Sequence, residues 1–379
     1  MRSDGAAPAL AQRPQRLVSL DALRGFDMFW IIGGEEIFHA LNQATTGKSF
    51  HRPFAFIAWQ LTHKNWEGFG FYDLIFPMFV FMVGASLVFS LGKIIATQGR
   101  AAALRRVIVR GVVLYLLGLI FYGGLSKNYN DVRLMGVLQR IALAYLFSGI
   151  LFCFLKPQGL ALVTASLLIV YCALLSFVRA PGESHVSFAE GHNLTNWIDA
   201  HYLPGFKWDG DHDPEGLLST MPAIASCLLG VFAGLLLKEG KMRPSQKSLW
   251  LLGLGTISVA LGFLWGLQFP VIKKLWTSSF VLVAGGYSSI LLGFFYLVID
   301  IWKIRLWAAP FVWIGMNAIT LYFVHHLFNF EGFAGRFVGG QFGQHAFGAY
   351  APVASALLAM FFVFALARFL YKRQIFLRV

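Results

Sequence analysis

Apolar stretches of about 20 residues recur from one end of this 379-residue chain to the other, separated by short polar or basic segments. Wound as a helix at about 1.5 Å per residue, such a stretch covers the ~30 Å of a bilayer's hydrocarbon, where backbone polar groups must be bonded within the segment. With 57% of residues hydrophobic and 13% charged, the chain has too few polar side chains for a water-soluble surface of this size. An all-α polytopic membrane protein is the expected fold. Hydropathy places about ten spans, near 17–40, 71–92, 107–125, 134–155, 160–178, 217–237, 249–268, 280–300, 307–328 and 350–370.

Basic residues in short loops stay on the cytoplasmic side of a membrane. With the N-terminus inside, nineteen Lys and Arg fall on inner segments and ten on outer ones, although the outer segments are longer. Both termini are therefore expected in the cytoplasm, with residues 1–16 as a polar tail and 17–379 as one transmembrane domain. The formal charge of +13 follows from this topology and does not require a nucleic-acid partner. The first apolar run opens with Ser19-Leu-Asp21 and lacks a small-residue cleavage site, so it reads as a retained helix. Cys153, Cys172 and Cys227 fall within spans without metal-ligand spacing, and neither a disulfide nor a metal is expected. Arg24 and Arg140 also fall inside spans, where a guanidinium needs a partner or a water-filled cavity.

Under this topology all ten histidines and thirteen of the eighteen acidic residues lie on or beside the outer face. Long polar loops produce part of that bias by themselves. Three outer segments stand out, 41–70, 179–216 and 329–349. In the second, Trp197, Tyr202, Phe206 and Trp208 alternate with Asp199, Asp209, Asp211, Asp213 and Glu215, a mixture that suits a sugar ring but also an interfacial aromatic belt. Asp209-x-Asp211-x-Asp213 lacks the glycine and distal glutamate of a calcium loop. His63 lies in Leu61-Thr-His-Lys-Asn-Trp66, just ahead of the second span. A neutral imidazole at that boundary can take a proton near neutral pH, and it is the leading catalytic candidate over a merely interfacial histidine.

Six stretches carry a larger pattern: Ser19-Leu-Asp21-x-x-Arg24-Gly25; His63-x-x-Trp66-x-Gly68 with Asp73-Leu-Ile-Phe-Pro77; Gly136-Val-Leu-Gln139-Arg140; Asp213-Pro-Glu215-Gly216; Lys274-Leu-Trp276-Thr-Ser-Ser-Phe280; and Gly315-Met-Asn317. In this order they resemble the heparan-alpha-glucosaminide N-acetyltransferase family, over nearly the entire chain. Phe26-Asp27-Met-Phe-Trp30 through Glu35-Glu36 looks like a bacterial branch associated with N-acetylglucosamine utilisation. The resemblance implies transfer of an acetyl group from cytoplasmic acetyl-CoA, without a metal, to the amine of an external amino sugar such as glucosamine. It also implies a homodimer in a bacterial inner membrane.

The family's essential histidine matches His63. Counting from Arg24-Gly25 puts Glu35 where the family has an asparagine, a departure that replaces an amide donor with a carboxylate able to act as a base. His63 then either accepts the acceptor's proton or carries the acetyl group itself. Asp73 either caps its helix or orients His63. Arg24, Arg110 and Arg140, with Gln139 and Asn317, are candidates for cofactor contacts, since arginine matches phosphate geometry; structural pairing of the arginines with Asp21 or Asp27 is the alternative. Glu36, Trp66, Asp213 and Glu215 are candidates for the acceptor side, and Tyr322 for the pocket wall. His325 and His326 point about 100° apart on a helix and are not expected to face one site. The rival readings are a secondary transporter with Arg24, Asp27 and Arg140 as a coupling site, and an O-acyltransferase of a surface polysaccharide.

Overall fold

The computed structural model describes residues 17–377, so the expected tail at 1–16 lies outside the described residues. Among the described residues the regular structure is helical, with two isolated β-bridges, Glu67 to Ile272 and Arg133 to Gly205. Helix α1 (Val18–Phe29) runs through a π-helical turn at Trp30–Gly34 into α2 (Glu35–Thr45). Gly33 takes φ +107 there, a conformation that a Cβ would strain, and the predicted first span is accordingly interrupted. The outer segment after it holds α3 (His51–Gln60).

Gly99, at φ +86, turns the chain between α4 (Phe71–Gln98) and α5 (Arg100–Phe121). Next come α6 (Val137–Phe154) and α7 (Pro157–Phe177), whose junction is set by a proline at the first turn of α7. The long outer segment contains α8 (Leu194–Tyr202), capped by the Asn193 side chain. It leads to α9 (Thr220–Lys238), α10 (Pro244–Gly266) and α11 (Ser278–Phe295), the last extended by a π turn at Tyr296–Ile301. Helices α12 (Ala309–Met316) and α13 (Ala318–Leu327) are separated at Asn317, and α14 (Phe330–Val338) and α15 (Gly340–Phe347) precede α16 (Ala351–Lys372).

Among the described residues seven helices are long and apolar enough to cross a membrane: Phe71–Gln98, Val137–Phe154, Pro157–Phe177, Thr220–Lys238, Pro244–Gly266, Ser278–Ile301 and Gly340–Lys372. The three other predicted spans are helical but depart from that standard for visible reasons. The first is broken by the π turn, α5 carries Arg100, Arg105, Arg106 and Arg110, and the ninth is broken at Asn317.

Two helix crossings hold the bundle closely. A Cβ on Gly84 would overlap the Cys227 carbonyl and one on Gly230 the Phe81 carbonyl, so α4 and α9 pack backbone to backbone. Gly25 and Gly315 do the same for α1 and α12. These contacts fix α4, whose first turn carries the site. Gly230→Leu is expected to destabilise the fold by about 1–3 kcal/mol or more, read as a lower thermal midpoint of tryptophan fluorescence in detergent. Gly253→Ala, where a Cβ meets nothing within 4 Å, is the control that leaves the midpoint in place.

Candidate active site

Asp73 is fully buried at the third position of α4, and each of its oxygens is engaged. Oδ2 accepts the backbone N–H of Gly70 at 3.0 Å and of Lys64 at 3.3 Å, while Oδ1 accepts from Nδ1 of His63 at 2.8 Å. One carboxylate therefore both closes the helix start and orients the imidazole. An ionised carboxylate is acceptor only, so Nδ1 carries the proton and Nε2 keeps its lone pair. The His63 side chain is 51% exposed against 0% for Asp73, which leaves Nε2 reachable. The loop around it is pinned elsewhere: Gly68 N–H donates to the Val271 carbonyl at 2.9 Å, the Trp66 indole to the Phe188 carbonyl at 2.8 Å, and Phe71 N–H to Gln60 at 3.0 Å.

Lys273 comes to the same ring from the connection between α10 and α11. Its Nζ is 2.9 Å from Nδ1, 3.2 Å from Nε2 and 3.6 Å from Asp73 Oδ1. Since Nδ1 already donates to Asp73, the acceptor the ring offers this ammonium is Nε2. Lys273 is held back over the loop by a tight turn in which Trp276 N–H donates to the Lys273 carbonyl at 2.8 Å. Trp276 is buried at φ +53, a strained conformation for a bulky residue, and its indole donates to Ser226 at 3.0 Å. Burial, with the Lys273 charge adding to it, holds the His63 imidazole below its ordinary pKa against the opposing pull of Asp73. Burial also lowers the Lys273 pKa, opposed by Asp73 and Glu215.

Two cavities meet at this imidazole. The outer one, about 940 Å³, is walled by aromatic and charged side chains including Phe121, Tyr122, Trp208, Arg133, Asp209 and Lys274. The inner one, about 210 Å³, is mostly apolar, lined by Met28, Ile31, Ile75, Phe76, Phe79, Leu138 and Ile141, with Tyr72 and Tyr322. His63, Val137, Glu215 and Lys273 belong to both linings. From Tyr72 to Phe79 the inner chamber follows α4 for about 10 Å.

The remaining candidates divide by position. Glu35 accepts the Tyr72 hydroxyl at 2.9 Å, and the Tyr72 ring packs on His63 with centroids 4.6 Å apart, so Glu35 reaches the site through Tyr72. Glu36, one residue on, faces away into a crevice with His325 and Glu331. His326 instead stacks on Phe121 at 4.0 Å and lines the outer cavity, which separates the two histidines as expected. Asp213 is 1% exposed and lies off both cavity walls. Its oxygens are occupied by Arg133 at 2.9 and 2.7 Å and by the N–H groups of Trp208 and Glu215. Arg133 also bonds Glu215 at 2.7 Å and stacks on Tyr122 and Trp208.

Arg24 donates to Ser86 at 2.6 Å and lies 3.5 Å from Asp21. Arg110 packs over the Tyr145 ring at 4.9 Å, and Arg140, fully buried, bonds Ser219 and the Gly216 carbonyl beneath the Trp276 ring. Gln139 donates to the Arg133 carbonyl at 3.3 Å, and Asn317 to the Trp313 carbonyl at 3.2 Å. None of these five lines either of the two cavities. Three residues that sequence reasoning did not single out, Lys273, Tyr72 and Arg133, complete the site. The available signal for Lys273 and Arg133 was basic charge on outer segments, against the general bias.

A family model described as "Heparan-alpha-glucosaminide N-acetyltransferase, catalytic" matches residues 16–262. The chain is 28% identical to human heparan-alpha-glucosaminide N-acetyltransferase over 98% of its own length and 61% of the relative's. It is 27% identical to the mouse protein of the same name over 71% of its length and 49% of the relative's. The chain thus spans between about half and three fifths of the relatives it matches.

Removing the Arg133 guanidinium leaves Asp213 and Glu215 as buried carboxylates without their main partner. Arg133→Met is expected to cost about 3–5 kcal/mol, seen as a lower thermal midpoint and faster proteolysis within 180–216. An unchanged midpoint would show that the cluster does not hold this wall in place.

Proposed function

Because the chain belongs to the heparan-alpha-glucosaminide N-acetyltransferase family, we propose that it is a membrane acetyltransferase moving the acetyl group of acetyl-CoA to the amine of an amino sugar, such as glucosamine, held on the opposite side of the bilayer. The observation that carries this reading is the place of His63 at the junction of an apolar chamber inside the bundle and a wide vestibule walled by aromatic and charged side chains. In this reading the ten helical segments all cross the bacterial inner membrane, with both termini cytoplasmic. The turns at the end opposite the vestibule carry Lys156, Lys238, Lys241, Arg243, Lys303 and Arg305, as a cytoplasmic face requires.

Acetyl-CoA supplies an acyl group activated as a thioester. The inner chamber fits the acyl end of its pantetheine arm in polarity and is too small for the nucleotide. On α4 the chamber residues Tyr72, Ile75, Phe76 and Phe79 share one helical face, and the same spacing leads on to Val83 and Ser86. Ser86 bonds Arg24, so Arg24 marks a cationic position about 10 Å beyond the chamber, suited to a phosphate. Arg110, Arg140, Gln139 and Asn317 act behind the walls, bracing the helices that form them.

On the outer side, Glu215 and the aromatic wall receive the amino sugar. Its ammonium must lose a proton before the nitrogen can attack, and neutral His63 accepts that proton at Nε2. Asp73 keeps the ring in the productive tautomer and balances the imidazolium charge. Lys273, whose Nζ lies 3.2 Å from Nε2, gives up that contact when Nε2 takes the proton, and its ammonium then stabilises the negative charge that an acyl oxygen gathers. Asp213 acts at one remove by fixing Arg133, and Trp66 by fixing the His63 loop.

The test uses purified protein in detergent with acetyl-CoA and glucosamine, following release of CoA thiol. Amine-dependent release is expected, falling about 10²–10⁴-fold in His63→Ala; release that the variant leaves intact would remove the base from the mechanism. Activity requires the neutral ring, so the rate rises with pH through the His63 pKa, below the ordinary value of 6.5. Lys273→Met removes a charge that lowers this pKa, and the acid limb of the profile is expected to move to higher pH. A limb that stays in place with an unchanged plateau rate would assign Lys273 to packing alone.

A further inference from the structure

His212 is 4% exposed, in a tight turn ahead of α9 where Asp209 N–H donates to the His212 carbonyl at 3.1 Å. Its Nδ1 lies 2.6 Å from Oδ1 of Asp211, an acceptor, so Nδ1 holds a proton and Nε2 is the ring nitrogen left for a metal ion. That nitrogen has no hydrogen-bond partner. It points at two carboxylate oxygens, 3.6 Å from Glu190 Oε1 and 3.8 Å from Asp209 Oδ2. A lone pair on Nε2 would be repelled by these oxygens unless a cation lay between them.

The three ligand atoms lie within 4.8 Å of one another. Donors at about 2.0–2.2 Å from a tetrahedral zinc are separated by about 3.3–3.6 Å, so the two pairs that include His212 Nε2, at 3.6 and 3.8 Å, are close to that spacing and the two carboxylate oxygens, exposed and half-exposed, close the rest. A carboxylate on the far ring nitrogen is the usual outer support of a metal-bound histidine, and Asp211 provides it. The cation now serving the two carboxylates is Lys274, with Nζ 2.7 Å from Glu190 and 3.0 Å from Asp209. It leaves His212 Nε2 unserved. Asp209 and Lys274 both line the outer cavity, so an ion here would lie in the vestibule wall.

We propose that Glu190, Asp209 and His212 form a site for a divalent transition-metal ion, with a fourth position open to water, and that Lys274 is a built-in competitor for it. A nitrogen with two carboxylate oxygens suits Zn²⁺ in particular. The site differs from the acidic run at Asp209, Asp211 and Asp213, since Asp213 belongs to Arg133 and Asp211 supports the histidine from behind. It does not depend on the proposed acetyl transfer.

The experiment titrates the full chain in detergent, its affinity tag removed, with chelator-buffered Zn²⁺ and measures binding directly. One ion per chain is expected, with affinity lowered about 10–100-fold by Glu190→Gln or His212→Ala. Lys274→Met removes the competitor and is expected to tighten binding. Glu190 and Lys274 have side chains 43% and 29% exposed, so those two variants keep the fold even should His212→Ala lose it. Zinc bound equally by wild type and Glu190→Gln would overturn the proposal as adventitious binding. So would a Lys274→Met protein that binds no more zinc than the Glu190→Gln/Lys274→Met double variant.

Discussion

A buried carboxylate at the edge of a bilayer has to be satisfied on every side, and the site depends on how Asp73 achieves this. Two backbone N–H groups and the His63 ring fill its acceptor positions, so the loop at 61–70 is tied to the first turn of α4 by one side chain. Without that tie the imidazole would be a loop residue of no fixed direction. With it, Nε2 is held where the two cavities join, tied to a helix that the α9 crossing keeps in place.

The outer segments pack Phe188, Leu194 and Phe269 onto the bundle and are joined to one another by charge pairs. Arg133 binds Asp213 and Glu215 between two aromatic rings, and Lys274 joins Glu190 to Asp209. Buried pairs of this kind add little net stability relative to apolar packing, but removing one partner is costly, which makes the geometry hard to change. The result is a wall carrying both signs of charge. The strained backbone at Trp276 belongs to the same scheme, because the turn it closes returns Lys273 to His63.

Much of the bundle was legible along the chain, since ~20-residue apolar runs with Gly and Pro at their ends leave few alternatives. The interruptions were less so. The π turn at Trp30–Gly34 has ordinary apolar composition, and α3, α14 and α15 lie in segments read as loops. At the site, His63, Asp73 and Glu215 were found from their residue types and motif, whereas Lys273 was counted as one more outer charge. Glu35 was read as a base and Glu36 as an acceptor-side contact, both at one site. Successive positions on a helix differ by about 100°, and the fold sends one to Tyr72 and the other to the crevice with Glu331.

By itself the sequence determined the all-helical, membrane-embedded character of this protein and the residue types available in the segments between its helices. Those follow from composition and spacing, which act locally. Which side chains meet was decided by the tertiary structure: residues 63, 73, 215 and 273 come from three connections and one helix end. Their approach rests on backbone crossings between segments more than a hundred residues apart and on buried charge pairs 80 and 82 residues apart, and no local pattern records such contacts.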